Sequence, residues 1–381
     1  MRAFVFTDKA LAKHARQFVW LSIDTEKTQN AAFAAKYPIR AWPSFYVIDP
    51  VEEAITLRWI GGATVAELGK LFDDGVRTAG AGKPGDSLAR ADKLYSEGKY
   101  AESIAAYRDA LRLMPKNAPS YPRAVEALLF SLSHADQLAE CVAVARAAMA
   151  TVRPTAAAAV VAGSGLDCAL GLPEGASGKA ADVAAFEKDV RAVLADPKLR
   201  LVADDRSALY GSLVDARRDA HDEAGAQRLA LEWVADLDKA ALAAKTPEQW
   251  TALDPNRLSA FDAAGQIEKA IPMLEKSARE FPEDYNPPAR LALVYLKLKR
   301  YDEALAASDQ ALAKVYGPRK LRVFAVRADI YKAMGNEAAT RKTVEEALSY
   351  AEALPAGQRS ESQIAALRNQ LGGLEAASGK Q

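Results

Sequence analysis

Residue types that carry chemistry are few in this sequence and poorly spaced for it. Its two cysteines, Cys141 and Cys168, form no C-x-x-C motif and are too few for a disulfide framework. No basic residue adjoins either one to stabilise a thiolate. Each is therefore expected to be a small, inert, buried hydrophobe. The three histidines, His14, His134 and His221, are scattered, whereas a metal site needs three or four clustered ligands. They read as surface or capping residues, and no metal is expected. Gly171–Ala180 ends in Gly178-Lys179-Ala180 and resembles a phosphate loop only in that pair. Pro173 stands where the first glycine is required, Ala180 replaces Ser or Thr, and no strand precedes it, so a loop between helices is expected. No serine sits in a nucleophile-elbow setting. Carboxylates lie beside cations, as in Glu187-Lys188 and Glu275-Lys276, which is the pattern of a solvated helix surface. The sequence thus assigns no catalytic residue and no cofactor.

Composition narrows the classes further. At 381 residues the chain is long enough for two or three domains. Its 50 basic and 50 acidic residues cancel, so no net field steers it to nucleic acid or to an anionic membrane. No stretch of 18 apolar residues is present, and the apolar run after Met1 is too short for a signal peptide. As written, the sequence reads as cytoplasmic, or as periplasmic or secreted if an upstream segment is missing.

Two regimes of patterning position whatever function the chain has. In residues 1–79, Val19–Ile23 and Ser44–Ile48 are short apolar runs of the kind that form strands covered on both faces. Thr28–Lys36 reads as a helix between them. Ile55–Ile60 is a third strand, halted by Gly61-Gly62. Val65, Leu68, Leu71, Phe72 and Val76 recur at helical spacing behind Thr64, a candidate N-cap. Residues 80–85 have the composition of a flexible linker.

Beyond the linker the sequence is rich in helix formers and self-similar. Phe261, Gly265, Ala270 and Leu274, shifted by 34 positions, fall on Tyr295, Lys299, Ala304 and Ser308. A further shift of 36 reaches Tyr331, Gly335, Thr340 and Val344. Another copy follows the linker, with Leu94, Gly98, Tyr100 and Tyr107. Pro115 and Pro282 close second helices, because proline disfavours the helical conformation in the residue before it. Residues 121–151 read as a divergent pair. Between 152 and 250 the period dissolves, save for one pair at 206–220 and 224–243.

These two regimes resemble two families. Phe18–Asp24 followed by Tyr37-Pro38-Ile39-Arg40-Ala41-Trp42-Pro43-Ser44-Phe45-Tyr46-Val47-Ile48-Asp49 is similar to part of the thioredoxin fold, without its W-C-x-x-C stretch. That resemblance implies a cis bond before Pro43, in the loop Ala41-Trp42-Pro43-Ser44. It also implies that a central strand and half of the first helix are absent. Either the neighbouring strands re-pair or the chain is a piece of a longer protein, and the latter is expected here. Residues 86–352 resemble a tetratricopeptide-repeat array, helix pairs stacked into a superhelix because each pair exposes an apolar face that only the next one covers. Residues 353–381 read as a polar tail.

The fold expected is therefore an α/β thioredoxin-like N-terminal unit followed by an all-α superhelical repeat array. The family's inward-facing positions fall on Asn286, Arg290 and Lys297, then on Arg322, Asp329 and Lys332. Four of these are cations and five donate hydrogen bonds, which suits an acidic or C-terminal peptide. The function implied is a non-catalytic interaction protein holding a protein or peptide partner, with no nucleic acid, membrane or metal among its partners. The alternative is a thioredoxin-family thiol–disulfide oxidoreductase whose C-x-x-C lies upstream of Met1.

Overall fold

A computed structural model describes residues 1, 3–39, 42–78 and 87–378. The expected linker at 80–85, Arg40, Ala41 and the end of the tail lie outside the described residues. A short helix α1 (Ala31–Lys36) precedes β1 (Ser44–Ile48), β2 (Ile55–Ile60) and α2 (Val65–Thr78). Helix pairs follow: α3 (Ser87–Ser96) with α4 (Tyr100–Leu113), α5 (Tyr121–His134) with α6 (Leu138–Val152), and α7 (Ala157–Leu170) with α8 (Lys179–Ala195). Next come α9 (Ala203–Asp219) with α10 (Glu223–Ala243), the single-turn α11 (Pro247–Thr251), then α12 (Asp254–Ala263), which packs on α10 and α9, and α13 (Ala270–Glu280). The last are α14 (Asn286–Lys297) with α15 (Tyr301–Leu312), α16 (Lys320–Ala333) with α17 (Glu337–Ala353), and α18 (Glu361–Ser378).

The chain divides into two compact units. Met1–Val19 and Ile39–Ala264 form the first, and Trp20–Pro38 with Gly265–Gln381 form the second.

In the first unit, β1 and β2 pair antiparallel, with Ser44 opposite Ile60 and Val47 opposite Leu57. The hairpin and α2 close over Val5, Leu11, Leu57, Trp59, Leu68, Leu71 and Phe72. Helix α2 starts where its sequence dictates. The Glu67 amide donates to Thr64 Oγ1 at 3.2 Å, and Glu67 Oε2 accepts from the Thr64 amide at 2.8 Å, a reciprocal capping box. The Trp42–Pro43 peptide bond is cis.

The strand expected at Val19–Ile23 does not form. Residues 19–24 adopt neither strand nor helix, and Val19, Trp20 and Leu21 are 88, 47 and 69% exposed. A strand needs a neighbour to take up its backbone groups. Among the described residues the sheet holds β1 and β2 alone. Residues 20–38 pack within the second unit instead. There Asp24 Oδ2 accepts from the Tyr316 hydroxyl at 2.6 Å, Glu26 Oε1 accepts from Arg319 Nε at 2.6 Å, and Gln358 Nε2 donates to the Thr25 carbonyl at 2.8 Å. Gly357 permits the close approach: a Cβ there would stand 2.1 Å from the Ala31 carbonyl oxygen.

Small residues let paired helices approach, as the period requires. Ala91, Ala292 and Ala304 are 0% exposed, and Ala328 and Ala347 are 3%. The turns that follow α3, α12, α14 and α16 use left-handed backbone, with φ of 78° at Gly98, 63° at Gly265, 59° at Lys299 and 71° at Gly335. At three of these sites glycine supplies that conformation without a side-chain clash. Within the segment expected as a polar tail, α18 docks on α17 through Ile364 and Leu367.

Candidate functional site

The groove residues named from the sequence sit on the first helices of successive pairs. Asn286, Arg290 and Lys297 lie on α14, and Arg322, Asp329 and Lys332 on α16, which packs against it. Lys297, Arg322, Asp329 and Lys332 are exposed; Asn286 and Arg290 are half-buried. Asn286 is engaged locally, its Nδ2 donating to Asp284 Oδ1 at 2.7 Å, the same oxygen that accepts the Asn286 amide. That geometry makes it a helix-start residue first and a ligand donor second.

Sequence reasoning missed a second region, in the first unit. A cavity of about 1010 Å³ opens between the N-terminal segment, α2 and the starts of α5, α7 and α9. Phe4, Trp59, Val65, Leu199 and Leu253 give it apolar walls, while Glu67, Arg123, Glu126 and Asp204 bring charge. Glu126, on α5, is only 6% exposed. Its burial, then the charges of Glu67 and Asp205, push its carboxyl well above the usual carboxylate range against the opposing pull of Arg123. Asp205, in the first turn of α9, is pushed up to about 7 by burial first and by Glu67 and Asp204 next. These carboxyls are thus held toward the neutral, proton-carrying form by a surplus of negative charge in a poorly hydrated place.

Behind this wall is a buried polar network. Arg123 Nη1 donates to Asp92 Oδ2 at 2.7 Å and to the Arg58 carbonyl at 2.9 Å, and the Tyr107 hydroxyl donates to Asp92 Oδ1 at 2.6 Å. Burial and then the Asp92 charge drive the Tyr107 phenol well up, so it stays a donor. The Arg58 guanidinium lies over the Tyr95 ring, 4.0 Å from its centroid. The available sequence signal was faint: Arg123 and Glu126 stand among Val125, Leu128 and Leu129 on a helix buried on nearly every side.

Two expectations about single residues are corrected. Cys141 and Cys168 are buried as expected, but they are joined by a disulfide that links α6 to α7. Packing of successive pairs brings their Cα atoms to 6.1 Å, a proximity that sequence separation conceals. His14 is not a surface residue: it is 1% exposed, its Nδ1 lies 2.7 Å from Gln17 Oε1, and its ring meets the Phe72 ring edge-on. Of the 171–180 segment expected as a loop, residues 171–178 connect α7 to α8, while Lys179 and Ala180 are the first residues of α8. Among the described residues no cluster of His, Cys, Asp or Glu could hold a metal ion, and no helix is long and apolar enough to cross a membrane.

Residues 263–330, which run from the end of α12 into α16, match the tetratricopeptide repeat family. No curated protein matches the chain. Among solved structures, it is similar to a tetratricopeptide repeat protein from Parabacteroides merdae at 11% identity, over 74% of this chain and 95% of that one, with a TM-score of 0.46. It is also similar to a thermophilic repeat protein of Thermus thermophilus at 15% identity, over 76% and 97%, TM-score 0.27. An assembly chaperone of RpL4 aligns at 16% identity, over 78% and 99%, TM-score 0.34. The array is helical and tetratricopeptide-like in its C-terminal part, where the family match and the 34-residue period coincide.

Proposed function

We propose that this chain is a non-catalytic interaction protein whose repeat array holds a protein or peptide partner, with a thioredoxin-like N-terminal piece as a folded appendage. The observation that carries the reading is the exposed face of α14 and α16, where Lys297, Arg322 and Lys332 stand in solvent on first helices of a tetratricopeptide-like array. With Arg290 and the Asn286 amide they offer charge-assisted donors to a carboxylate, and Asp329 gives the face one acceptor. The order β1, β2, α2 after Pro43 supports the thioredoxin-like reading of the appendage, which carries no cysteine of its own. The oxidoreductase alternative would need a redox motif supplied from outside this sequence.

The Cys141–Cys168 disulfide favours an oxidising compartment, the periplasm or the cell exterior, over the cytoplasm. The test of the functional reading is selection of a library of peptides with free C-termini on the immobilised protein, repeated with the R322A/K332A variant. Enriched peptides should be acidic, weakened by added salt, and lost on the variant. Peptides indifferent to both would move the partner off this face, and the absence of any enriched peptide would contradict the scaffold reading.

A further inference from the structure

Glu126 is a carboxyl without a counterpart. It is 6% exposed on α5, and among the described residues it has no hydrogen-bond partner. A buried polar group left in that state is a standing cost to the fold. It borders the cavity of about 1010 Å³ in the first unit, so its side chain meets open space as well as protein. That volume matches the upper end of small-molecule sites, about 300–1,000 Å³. The walls supplied by Phe4, Val65, Leu199 and Leu253 suit an apolar body.

The charges around Glu126 lean negative from every side that packs on it. From α2 comes Glu67, whose Oε2 is committed to the Thr64 amide and hydroxyl at 2.8 Å each. From the first turn of α9 come Asp205, which acts on Glu126, and Asp204, which lines the cavity and accepts from Asn256 Nδ2 at 2.7 Å. Among the described residues the one cation acting on Glu126 is Arg123, a turn away on α5. That guanidinium is already answered twice, by Asp92, which accepts from Nη1 at 2.7 Å, and by the buried Asp74 of α2. Lys13, Lys70, Lys198 and Arg200 also border the cavity, but all four stand in solvent and none acts on Glu126 or Asp205. No group of carboxyls here is placed to hold a metal ion.

We propose that this cavity binds an organic ammonium ion, with its charged head on Glu126 beside Glu67 and Asp204 and its apolar body on Phe4, Val65, Leu199 and Leu253. The ammonium supplies the N–H donors and the positive charge that Glu126 lacks, in a poorly hydrated place where such a bond is strong. Binding is coupled to a proton. The neutral Glu126 carboxyl releases its proton to solvent as the ammonium arrives, leaving a carboxylate paired with an intact ammonium. Affinity therefore rises with pH until the carboxyls of the free cavity are ionised.

The experiment is calorimetry of the full chain with three probes of one length: hexylammonium, hexanol and hexanoate. Hexylammonium should bind saturably at one site and more tightly than the other two. Repeated at about pH 6 in buffers of different ionisation heat, its binding should release protons, and that of hexanol should not. The E126Q variant should release fewer protons and lose about tenfold or more of the preference for the amine over the alcohol, while its helical melt stays where it was or rises. Should E126Q fail to fold, the arms on the parent protein still decide. The absence of saturable amine binding, binding without proton release, hexanol or hexanoate binding as tightly, or an E126Q variant that keeps the preference would each overturn the proposal.

Discussion

Reducing the Cys141–Cys168 disulfide should lower the stability of the first unit selectively. The bridge closes a loop spanning 27 residues. On the chain-entropy relation a loop of that length is worth about 3.5 kcal/mol at 25 °C, through restriction of the unfolded chain. Both sulfurs are buried, with the cysteines 0 and 2% exposed, so a reductant reaches them only when α6 and α7 part. The assay is urea unfolding of the oxidised protein, of protein reduced in denaturant and refolded, and of C141A/C168A, followed by far-ultraviolet circular dichroism. Because the chain has two compact units, two transitions are expected and must be fitted separately. The transition containing α6 and α7 should fall by about 3–4 kcal/mol, and the other should stay put. Native protein in mild dithiothreitol should show almost no free thiol. Unchanged transitions after verified reduction, or a shift confined to the C-terminal unit, would refute the reasoning.

Other outcomes follow from individual contacts. Asp205 is held at about 7 against an ordinary 3.8, so the folded state binds a proton that the unfolded chain releases, and this stabilisation drains away as pH rises between those values. D205N should therefore stabilise relative to the parent increasingly over that range, and a constant difference across pH would show the shift to be absent. R123M should cost about 3–5 kcal/mol by stranding the Asp92 carboxylate, whereas R108A, at the exposed pair with Glu140, should cost about 0–1 kcal/mol; equal effects by chemical denaturation would contradict the buried network. G357A should expel the 20–38 segment from its seat beside Ala31 and destabilise the second unit by about 1–3 kcal/mol, with faster proteolysis near Lys27 or Lys36. A variant as protease-resistant as its parent would place that segment elsewhere.

What the sequence disclosed depended on whether the signal was local. The recurrence of Phe261, Tyr295 and Tyr331 marks α12, α14 and α16, because each repeat carries its own residues in a fixed pattern. Thr64 marks the start of α2 for the same reason: a cap is complete within a few residues, and Glu67 completes it in the structure. Val19–Ile23 misleads because an apolar run records a liking for burial in a sheet, while forming the strand requires a neighbour that no single run encodes. The disulfide was hidden because Cys141 and Cys168 each look like an ordinary small helix residue, and only the packing of α6 on α7 unites them. The cavity draws on the N-terminal segment, α2, α5, α7 and α9, and the Arg58–Arg123–Asp92 network on β2, α3, α4 and α5, so their charges read individually as solvated helix or strand positions. Helix α18 escaped because Ile364 and Leu367, which seat it on α17, stand in a stretch that otherwise reads as polar.

The account rests most heavily on the claim that the array binds a partner through the face of α14 and α16. Hydrogen exchange of the full chain, with and without a peptide from the library selection at saturating concentration, tests it directly. Slowed exchange should concentrate in Asn286–Lys297 and Lys320–Ala333, leave α6 to α8 unchanged, and vanish in R322A/K332A. Protection elsewhere, or none despite measured binding, would contradict the claim.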